Sequence, residues 1–367
     1  MATATIKDVT DHLEALAPLA YQEEYDNSGL LTGDAKAEVK GVLVTLDCTE
    51  AVVNEAIKNN CNLIVAHHPI IFRGLKKLTG RTYVERTVIK AIKNDIAIYA
   101  IHTNLDNVHT GVNKKIADVL GLTKLRILLP QKSTLMKLVT FIPKEHAGDV
   151  LNALHHAGAG NIGHYKNCSF IVTGEGTFMP TEKSNPHTGQ HNQLERVDEI
   201  RAEVIFPEQI SSDVVKALKD AHPYEEVAYY LSKLENENQE VGAGMIGELE
   251  VPMEPKDFLL FLKSKINTAC IRHTELLKTK VKKVAVCGGA GSFLLPTAIG
   301  QGADVFVSSD FKYHEFFDAD QRITITDIGH YESEQFTKDL LVAVLKEKFS
   351  TFAIIFSNTA TNPISYF

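Results

Sequence analysis

Apolar residues between the N-terminus and about residue 125 alternate between short continuous runs and helical periodicity. The runs at 41–46, 62–66 and 96–101 are apolar and rich in β-branched residues, which predicts buried strands. Helical periodicity covers 50–59 and 83–94, between these runs. Strands that alternate with helices in this way predict βαβ units around a mostly parallel sheet.

The pattern changes after Leu129 and Pro130. A gly- and polar-rich stretch from Gly174 to His191 is typical of loops. Around it, strands are predicted at 135–142 and 201–206, and helices at 147–156 and 211–221. These elements predict a small α+β domain of roughly 110 residues, which is within the usual range of domain sizes.

At Gly242 the earlier pattern returns. Further strands are predicted at 282–287, 304–307, 322–326 and 352–356, and a helix at 335–346. We therefore expect one α/β core in two segments, residues 1–128 and 241–367, with the α+β domain inserted between them at 129–240.

Composition and charge exclude several classes of protein. With 44% hydrophobic and 23% charged residues the chain resembles an ordinary globular protein. A formal net charge of −8 argues against general nucleic-acid binding, which depends on neutralising phosphates. The five cysteines form no C-x-x-C pair, which is typical of a reduced cytosol. No signal peptide and no membrane helix of ~20 apolar residues is predicted, so we expect a cytoplasmic protein.

Histidines and carboxylates follow three of the predicted strands. His67 and His68 come directly after the second strand, Asp106 follows the third, and His330 with Glu334 follows a strand of the second segment. Each motif has an ordinary alternative, namely solvated loop histidines, a helix-capping aspartate or an exposed His/Glu pair. Because the carboxyl ends of parallel strands share one edge of a sheet, the combination favours ligands that meet there.

Three imidazoles and two carboxylates suit Zn, Mn, Fe, Co or Ni better than Mg or Ca. Consecutive residues leave the backbone in different directions, so His67 and His68 are predicted to bind different ions. A carboxylate such as Asp106 is expected to bridge the two ions.

Glycine-rich turns offer a second kind of site. The turn containing Gly289 and Gly291 lies between a predicted strand and helix, where backbone amides bind an anion such as phosphate or simply make a tight turn. Lys312 and His314 follow another strand and are candidates for the same substrate pocket. Two G-x-G-x-x-G matches, at 158–163 and 242–247, lack the strand-then-helix context of a dinucleotide site and are predicted to be turns.

Together these motifs resemble the Nif-three-like family, the GTP cyclohydrolase I type 2 homologues. The resemblance implies a dinuclear metal centre held by His67, His68, Asp106, His330 and Glu334. It also implies that His102 lies near the metals without binding them, which suits proton transfer. The motifs that carry it are Asp26-Asn-Ser-Gly-Leu30, Ala66-His-His-Pro69, His102-Thr-Asn-Leu-Asp106, Gly288-Gly-Ala-Gly291, Ser309-Asp-Phe-Lys-Tyr-His314 and Gly329-His-Tyr-Glu-Ser-Glu334.

The middle segment is similar to the PII/CutA-like insert of longer family members. The likeness lies in 157–163, in 168–170 and in Ala221-His-Pro-Tyr-Glu-Glu226. His222 and Glu225 are either metal ligands or part of a packed turn, and the turn is favoured. The family resemblance further implies a ring-shaped homohexamer.

Two functions from different classes remain open. One is a metal-dependent hydrolase that acts on a nucleotide or another phosphate-bearing substrate, with water activated by two divalent ions. The other is a non-catalytic metal-handling or regulatory scaffold whose insert senses a ligand or partner. Loss of turnover in a His102→Ala variant that keeps its fold would distinguish them.

Overall fold

A computed structural model describes residues 4–277 and 280–367. The chain divides into two compact units, one formed by Met1–Pro130 with Glu240–Phe367 and the other by Gln131–Gln239. Within the described ranges, no helix has both the length and the apolar composition needed to span a bilayer.

The strands of the described residues follow the apolar runs of the sequence closely in most places. In chain order they are β1 (Gly29–Thr32), β2 (Gly41–Thr45), β3 (Leu63–Ala66), β4 (Ala97–Ala100), β5 (Leu122–Lys132), β6 (Leu135–Pro143), β7 (Phe170–Phe178), β8 (Glu195–Pro207), β9 (Tyr229–Leu234), β10 (Glu237–Met253), β11 (Arg272–His273), β12 (Val281–Ala290), β13 (Val305–Ser309), β14 (Thr324–Asp327) and β15 (Ala353–Phe356).

Helices connect these strands, and the first three begin at capping threonines. The hydroxyls of Thr5, Thr49 and Thr82 each accept a hydrogen bond from a first-turn N–H. In chain order the helices are α1 (Ile6–Leu16), α2 (Glu50–Lys58), α3 (Tyr83–Lys93), α4 (Thr103–Asp106), α5 (Val112–Val119), α6 (Ala147–His156), α7 (Ser211–Ala221), α8 (Pro255–Ile266), α9 (Leu295–Gly300), α10 (His330–Glu334) and α11 (Thr337–Lys348).

The first unit contains a five-stranded sheet in the order β1-β4-β3-β2-β15. Its last four strands run parallel, whereas β1 is antiparallel to β4. Strands β2, β3 and β4 are buried at every position, which explains their unbroken apolar sequences. The C-terminal strand β15 pairs with β2, with Ile354 opposite Val42.

A second sheet of the same unit has six strands in the order β11-β14-β13-β12-β10-β5. Its pairs β12–β13 and β13–β14 are parallel, whereas β11–β14 and β10–β12 are antiparallel. The predicted α/β class is therefore confirmed, but the expectation of one mostly parallel sheet is wrong. The strands of the second segment, apart from β15, pair with one another and with β5, and so build a mixed sheet of their own.

The two sheets share one hydrophobic core. Alternate residues of each strand face it, because side chains point to opposite sides of a sheet. From β2 and β3 it receives Val42, Val44, Leu63 and Val65, and from β12 and β13 it receives Val284, Val286, Val305 and Val307. The intervening residues Leu43, Ile64 and Ile98 form a separate core that includes residues of α2 and α3.

The second unit is a four-stranded sheet in the order β7-β8-β6-β9, in which all neighbouring strands are antiparallel. Helices α6 and α7 bury Val150, Leu154, Val214 and Leu218 in a core with the sheet. The element order β6-α6-β7-β8-α7-β9 is the βαββαβ arrangement of ferredoxin-like domains.

Two glycine-rich segments predicted as loop or turn are strands instead. Gly174 and Gly176 lie in β7, and a side chain at Gly176 would stand 2.1 Å from a carboxylate oxygen of Glu199 on β8. Gly242 and Gly244 lie in β10, where a Cβ at Gly242 would lie 2.2 Å from the carbonyl oxygen of Leu129. In both strands glycine allows a close approach of neighbouring groups rather than a reversal of the chain.

Candidate metal centre

His67 stands directly after β3 and is completely buried. Its Nδ1 atom lies 2.8 Å from the carbonyl oxygen of Ile101, so Nδ1 donates the hydrogen bond and Nε2 carries the lone pair. Nε2 is buried without a hydrogen-bond partner. Its nearest carboxylate oxygens are Asp106 Oδ1 at 3.6 Å and Glu334 Oε1 at 3.8 Å. An orphaned ring nitrogen between two carboxylates is the environment of a metal ligand.

His68 and His330 are held in the same way by carboxylates. His68 Nδ1 lies 2.8 Å from Asp47 Oδ1, and His330 Nδ1 lies 2.7 Å from Asp310 Oδ2. The two Nε2 atoms face each other at 3.3 Å, and both lie close to Glu334 Oε2, at 2.9 Å and 3.1 Å. A carboxylate on Nδ1 orients the ring and makes the opposite nitrogen a better ligand.

Two carboxylate oxygens of the cluster are also left without hydrogen bonds. Asp106 Oδ1 and Glu334 Oε2 are buried and unsatisfied. A buried carboxylate is costly unless a positive charge lies beside it, and for Glu334 Oε2 that charge comes either from the protonated rings of His68 and His330 or from a metal ion that replaces their protons. The ligand atoms of His67, His68 and Glu334 lie within 4.8 Å of one another, so this cluster could hold a metal ion.

Glu334 lies between two groups of ligand atoms. Its Oε1 atom is on the side of His67 and Asp106, and its Oε2 atom is on the side of His68 and His330. Atoms that bind one tetrahedral ion at ~2.0–2.1 Å are roughly 3.3 Å apart. The Nε2 atoms of His68 and His330 and Oε2 of Glu334 are separated by similar distances, 2.9, 3.1 and 3.3 Å. The residues therefore fit transition-metal ions.

The pKa values of three residues in the cluster are shifted towards the protonated form. Burial would lower the pKa of His68 and His330, but contacts with Asp47, Asp310 and Glu334 raise these values to about 10 and about 11. Burial, together with the charge of Glu334, raises the pKa of Asp106 to about 7. The negative charge of the carboxylates therefore favours bound protons in the metal-free protein, and divalent ions would displace these protons and supply more positive charge.

Gly289 makes room for Glu334. Its φ is +62°, and a Cβ there would stand 2.5 Å from Glu334 Oε1. Its N–H donates to Ser333 Oγ at 2.9 Å, which ties the end of β12 to α10. A Cβ at Gly291 would lie 2.3 Å from Ser308 Oγ. Packing around α10 and β13 thus accounts for both glycines, and anion binding by this turn stays a prediction.

His102 lies beside the cluster, at the end of β4. Its ring centroid is 5.4 Å from that of His67 and 5.3 Å from that of His68. Its Nδ1 atom is 2.8 Å from Asp26 Oδ1, and Thr103 donates two further hydrogen bonds to this aspartate. Burial would raise the pKa of Asp26, but these hydrogen bonds lower it well below its usual range. His102 therefore has a charged partner that fixes its ring.

A cavity of about 780 Å³ opens onto the cluster. It is lined by His68, His102, Asp106, His330 and Glu334, together with Gly289 of the glycine turn. Gly291, Lys312 and His314 are not among its lining residues, and both Lys312 and His314 are exposed. The structure thus brings the predicted ligands and His102 together, but not these three substrate-binding candidates.

Sequence reasoning assigns no role to the three aspartates that orient the histidines, although Asp26 and Asp310 lie in the motifs that carry the family resemblance. Asp47 follows β2 and Asp310 follows β13, each at the carboxyl end of a parallel strand. That position is the same signal that identified the ligands, and it would have found these two. Asp26 precedes an antiparallel edge strand, so no comparable signal marks it.

The proposed turn at His222 is fully explained by hydrogen bonds. His222 Nε2 lies 2.9 Å from the carbonyl oxygen of Phe141, and Nδ1 accepts from the N–H of Tyr224 at 3.1 Å. Glu225 accepts a hydrogen bond from the N–H of Asn185. Both ring nitrogens of His222 are engaged, so packing accounts for this residue.

Comparison with known proteins gives consistent matches over the whole chain. A family model described as Duf34/NIF3 (NGG1p interacting factor 3) matches residues 4–363. A protein of Halalkalibacterium halodurans is 40% identical over 100% of both chains, and one of Bacillus subtilis is 39% identical over 96% of both. Each is named GTP cyclohydrolase 1 type 2 homolog. A crystal structure of a Bacillus cereus protein related to NIF3 is 38% identical, covers 100% of both chains and has a TM-score of 0.88.

Proposed function

Because this chain belongs to the Duf34/NIF3 family, we propose that its buried cluster is a dinuclear metal centre and that the protein is a metal-dependent hydrolase. One observation carries the proposal. Three histidine rings have their Nδ1 atoms engaged by acceptors, so three Nε2 atoms converge on carboxylate oxygens that lack hydrogen bonds. Metal ions would satisfy the three nitrogens and the carboxylate oxygens together, because each ion accepts lone pairs from both kinds of atom.

Glu334 is the carboxylate best placed to bridge the two ions. His67, Asp106 and Glu334 Oε1 would hold one ion, while His68, His330 and Glu334 Oε2 would hold the other. This division keeps the adjacent histidines on different ions, and it assigns the bridge to Glu334 rather than to Asp106. Zn, Mn, Fe, Co and Ni all suit such ligands.

Hydrolysis is the chemistry that such a centre supports best. Divalent ions held there supply Lewis acidity, which polarises an electrophile and makes a water more acidic at neutral pH. His102 lines the cavity next to His67 and His68 but makes its own hydrogen bond to Asp26. We assign it the transfer of a proton between the attacking water and the leaving group. The name of the relatives points to a nucleotide whose ring would be opened by water.

Elemental analysis of the purified protein tests the metal centre directly. Protein prepared without added metal and then dialysed against zinc or manganese should bind two ions per chain. Glu334→Ala should reduce the content below one ion, because both groups of ligands lose a carboxylate oxygen. Asp106→Asn should leave the ion held by His68 and His330. Fewer than one ion per chain at saturation in the unmodified protein would remove the dinuclear centre.

Activity separates a hydrolase from a metal-handling or regulatory scaffold. His102→Ala should keep both ions and the fold but lose turnover of nucleotides and phosphoesters that the unmodified protein hydrolyses. A scaffold would show no turnover in either form, with unchanged metal exchange in the variant. Circular dichroism and elemental analysis of both proteins provide the control for folding and loading.

The insert and the assembly complete the proposal. The βαββαβ order of the second unit supports a PII/CutA-like domain. Three successive residues of its edge strand β7, Phe170, Ile171 and Val172, are 66%, 50% and 47% exposed. Exposed apolar residues on an edge strand favour contact with another chain, and we propose that the assembly is the homohexamer that the family resemblance implies. We place the protein in the cytoplasm, where its five free cysteines would stay reduced.

A further inference from the structure

The wall of the metal cavity contains carboxylates and the imidazoles of His68, His102 and His330. Among the described residues that line it there is neither a lysine nor an arginine. Phosphate sites in proteins generally depend on such side chains or on free backbone amides. Apart from the ions of the proposed centre, the wall therefore lacks the lysine and arginine side chains that usually recognise a phosphate.

Four backbone and side-chain amides of the wall already donate hydrogen bonds within the protein. The N–H groups of Gly288 and Gly289 donate to Asn113 Oδ1 and Ser333 Oγ. The side-chain amide of Asn113 donates to the carbonyl oxygen of Asp106, and that of Asn362 donates to Glu332. These donors hold the wall together and are not directed at a ligand.

Charge near the cluster also disfavours a polyanion. Five aspartate and glutamate side chains bind the histidines or act as ligands, namely Asp26, Asp47, Asp106, Asp310 and Glu334. A triphosphate carries several negative charges and would gain little from such a field.

Aromatic rings form a continuous wall from the mouth of the cavity to the cluster. The ring centroids of Tyr25 and Phe72 are 6.2 Å apart, and those of Phe72 and His102 are 6.3 Å apart. Tyr25 and Phe72 are 64% and 44% exposed. Phe293 and Tyr331 also line the cavity. Exposed aromatic side chains around a concave site are typical of recognition of a flat ring.

We propose that this cavity recognises a flat, uncharged ring through the wall formed by Tyr25, Phe72 and His102, and that it does not recognise phosphate. The inference rests on the proposed function, because the ring would present its reactive edge to the same metal centre. A phosphate attached to the ring would lie outside the wall, in solvent. The substrate class is therefore a nucleobase-like or other heterocyclic amide, with or without a sugar.

Calorimetric titration of the metal-loaded protein tests this proposal. Guanosine, adenosine and uridine would be compared with their 5′-monophosphates and with inorganic pyrophosphate. At least one nucleoside should bind, its monophosphate should bind with a dissociation constant within about threefold, and pyrophosphate should not bind. Tyr25→Ala and Phe72→Ala should each weaken binding by roughly 5- to 150-fold, the loss expected for stacking on one aromatic side chain.

Tyr83→Ala is the matched control, because Tyr83 is 62% exposed on α3 and does not line the cavity. It should leave binding unchanged. Monophosphates that bind more than tenfold tighter than nucleosides, or a Lys312→Ala variant that loses this preference, would establish phosphate recognition and overturn the proposal. Absence of binding by every nucleoside would also overturn it, as would a change of oligomeric state in Tyr25→Ala without a change in binding.

Calorimetry measures binding and does not depend on turnover, so this experiment is independent of the activity test of the proposed hydrolase. Elemental analysis of the same samples reports the metal content. A protein that binds rings but holds no metal contradicts the proposed function alone. A protein that holds two ions and binds only phosphate-bearing compounds contradicts the ring proposal alone.

Discussion

At the scale of single residues, the partner of Nδ1 decides which nitrogen each histidine presents. Ile101, Asp47 and Asp310 each engage one Nδ1 atom, and the free Nε2 atoms of His67, His68 and His330 then point to one place. His102 has the same kind of partner in Asp26 but lies beside the cluster. The orienting aspartates are therefore as much a part of the site as the ligands.

Asp310→Ala should weaken metal binding by roughly 10- to 100-fold, because His330 loses the carboxylate that fixes its ring. The hydrogen bond with His330 lowers the pKa of Asp310, so the aspartate is charged at neutral pH. Asp310→Asn should restore part of the affinity, since its amide oxygen can accept the same hydrogen bond. Competition with a chelating dye measures the affinity, and Asp318→Ala, at an exposed position, is the control. Equal affinities in all four proteins would contradict this role.

Metal binding should release protons. The raised pKa values of His68 and His330, about 10 and about 11, mean that both rings are protonated at pH 7 in metal-free protein. A cation needs the lone pair that the proton occupies, so binding releases about two protons from the rings and a further fraction of a proton from Asp106, whose pKa is raised to about 7, and the apparent affinity rises with pH. Calorimetry in two buffers of different ionisation enthalpy measures the release. A binding enthalpy that does not depend on the buffer would refute the prediction.

At the scale of elements, the metal centre depends on how β12 meets α10. The strand ends in glycines, so α10 can approach closely enough for Glu334 to reach the histidines. The ligands themselves follow β3, β4 and β14, each at the carboxyl end of a parallel strand. The strand ends thus direct the ligand side chains to one site, and the glycines at the end of β12 leave room for Glu334 there.

Gly289→Ala should remove bound metal as well as stability. A residue with a Cβ at φ +62° costs about 1 kcal/mol, and the new methyl group would press on Glu334 Oε1. Gly302→Ala is a matched control, because Gly302 has φ +70° and nothing within 4 Å of a new Cβ. Denaturant unfolding should show a similar loss of about 1 kcal/mol in Gly302→Ala, whose metal content stays complete. Full metal content in Gly289→Ala would show that Glu334 can move without consequence.

At the scale of the whole molecule, all the proposed ligands belong to the unit formed by the two outer segments. The two sheets of this unit share a core, and their strand ends bring Nε2 of His68 from one sheet within 3.3 Å of Nε2 of His330 from the other. The second unit has a hydrophobic core of its own. Metal binding and the insert are therefore predicted to be separable.

Replacing 134–236 with a short glycine-rich turn should leave a folded core that still binds metal. Strands β5 and β10 are neighbours in the six-stranded sheet, and Lys132 Nζ lies 3.8 Å from Glu237 Oε1, so a short turn can join them. Thermal unfolding and elemental analysis of the shortened protein measure the outcome. A shortened chain that folds but binds no metal would contradict the separation of the two roles.

Local patterns in the sequence predict the strands β2, β3 and β4, the helices α2, α3, α6, α7 and α11, and the ligand-type residues that follow the strands. These features depend on neighbouring residues, because burial on both faces requires an unbroken apolar run. Glycine-rich strands such as β7 were missed, since the reason for glycine there is a side chain on the next strand. Pairing partners are distant in sequence, so local patterns do not reveal them.

What the sequence determined by itself was the kind of chemistry: imidazoles and carboxylates at strand ends, without cysteine pairs, in an α/β protein with an inserted domain. Only the tertiary structure decided that two sheets rather than one build the core and that Glu334 lies between two ligand groups. It also decided that Lys312 and His314 stay away from the cavity. The reason is physical: a residue's type limits which atoms it can bind, but its position relative to distant residues follows from packing of the whole chain.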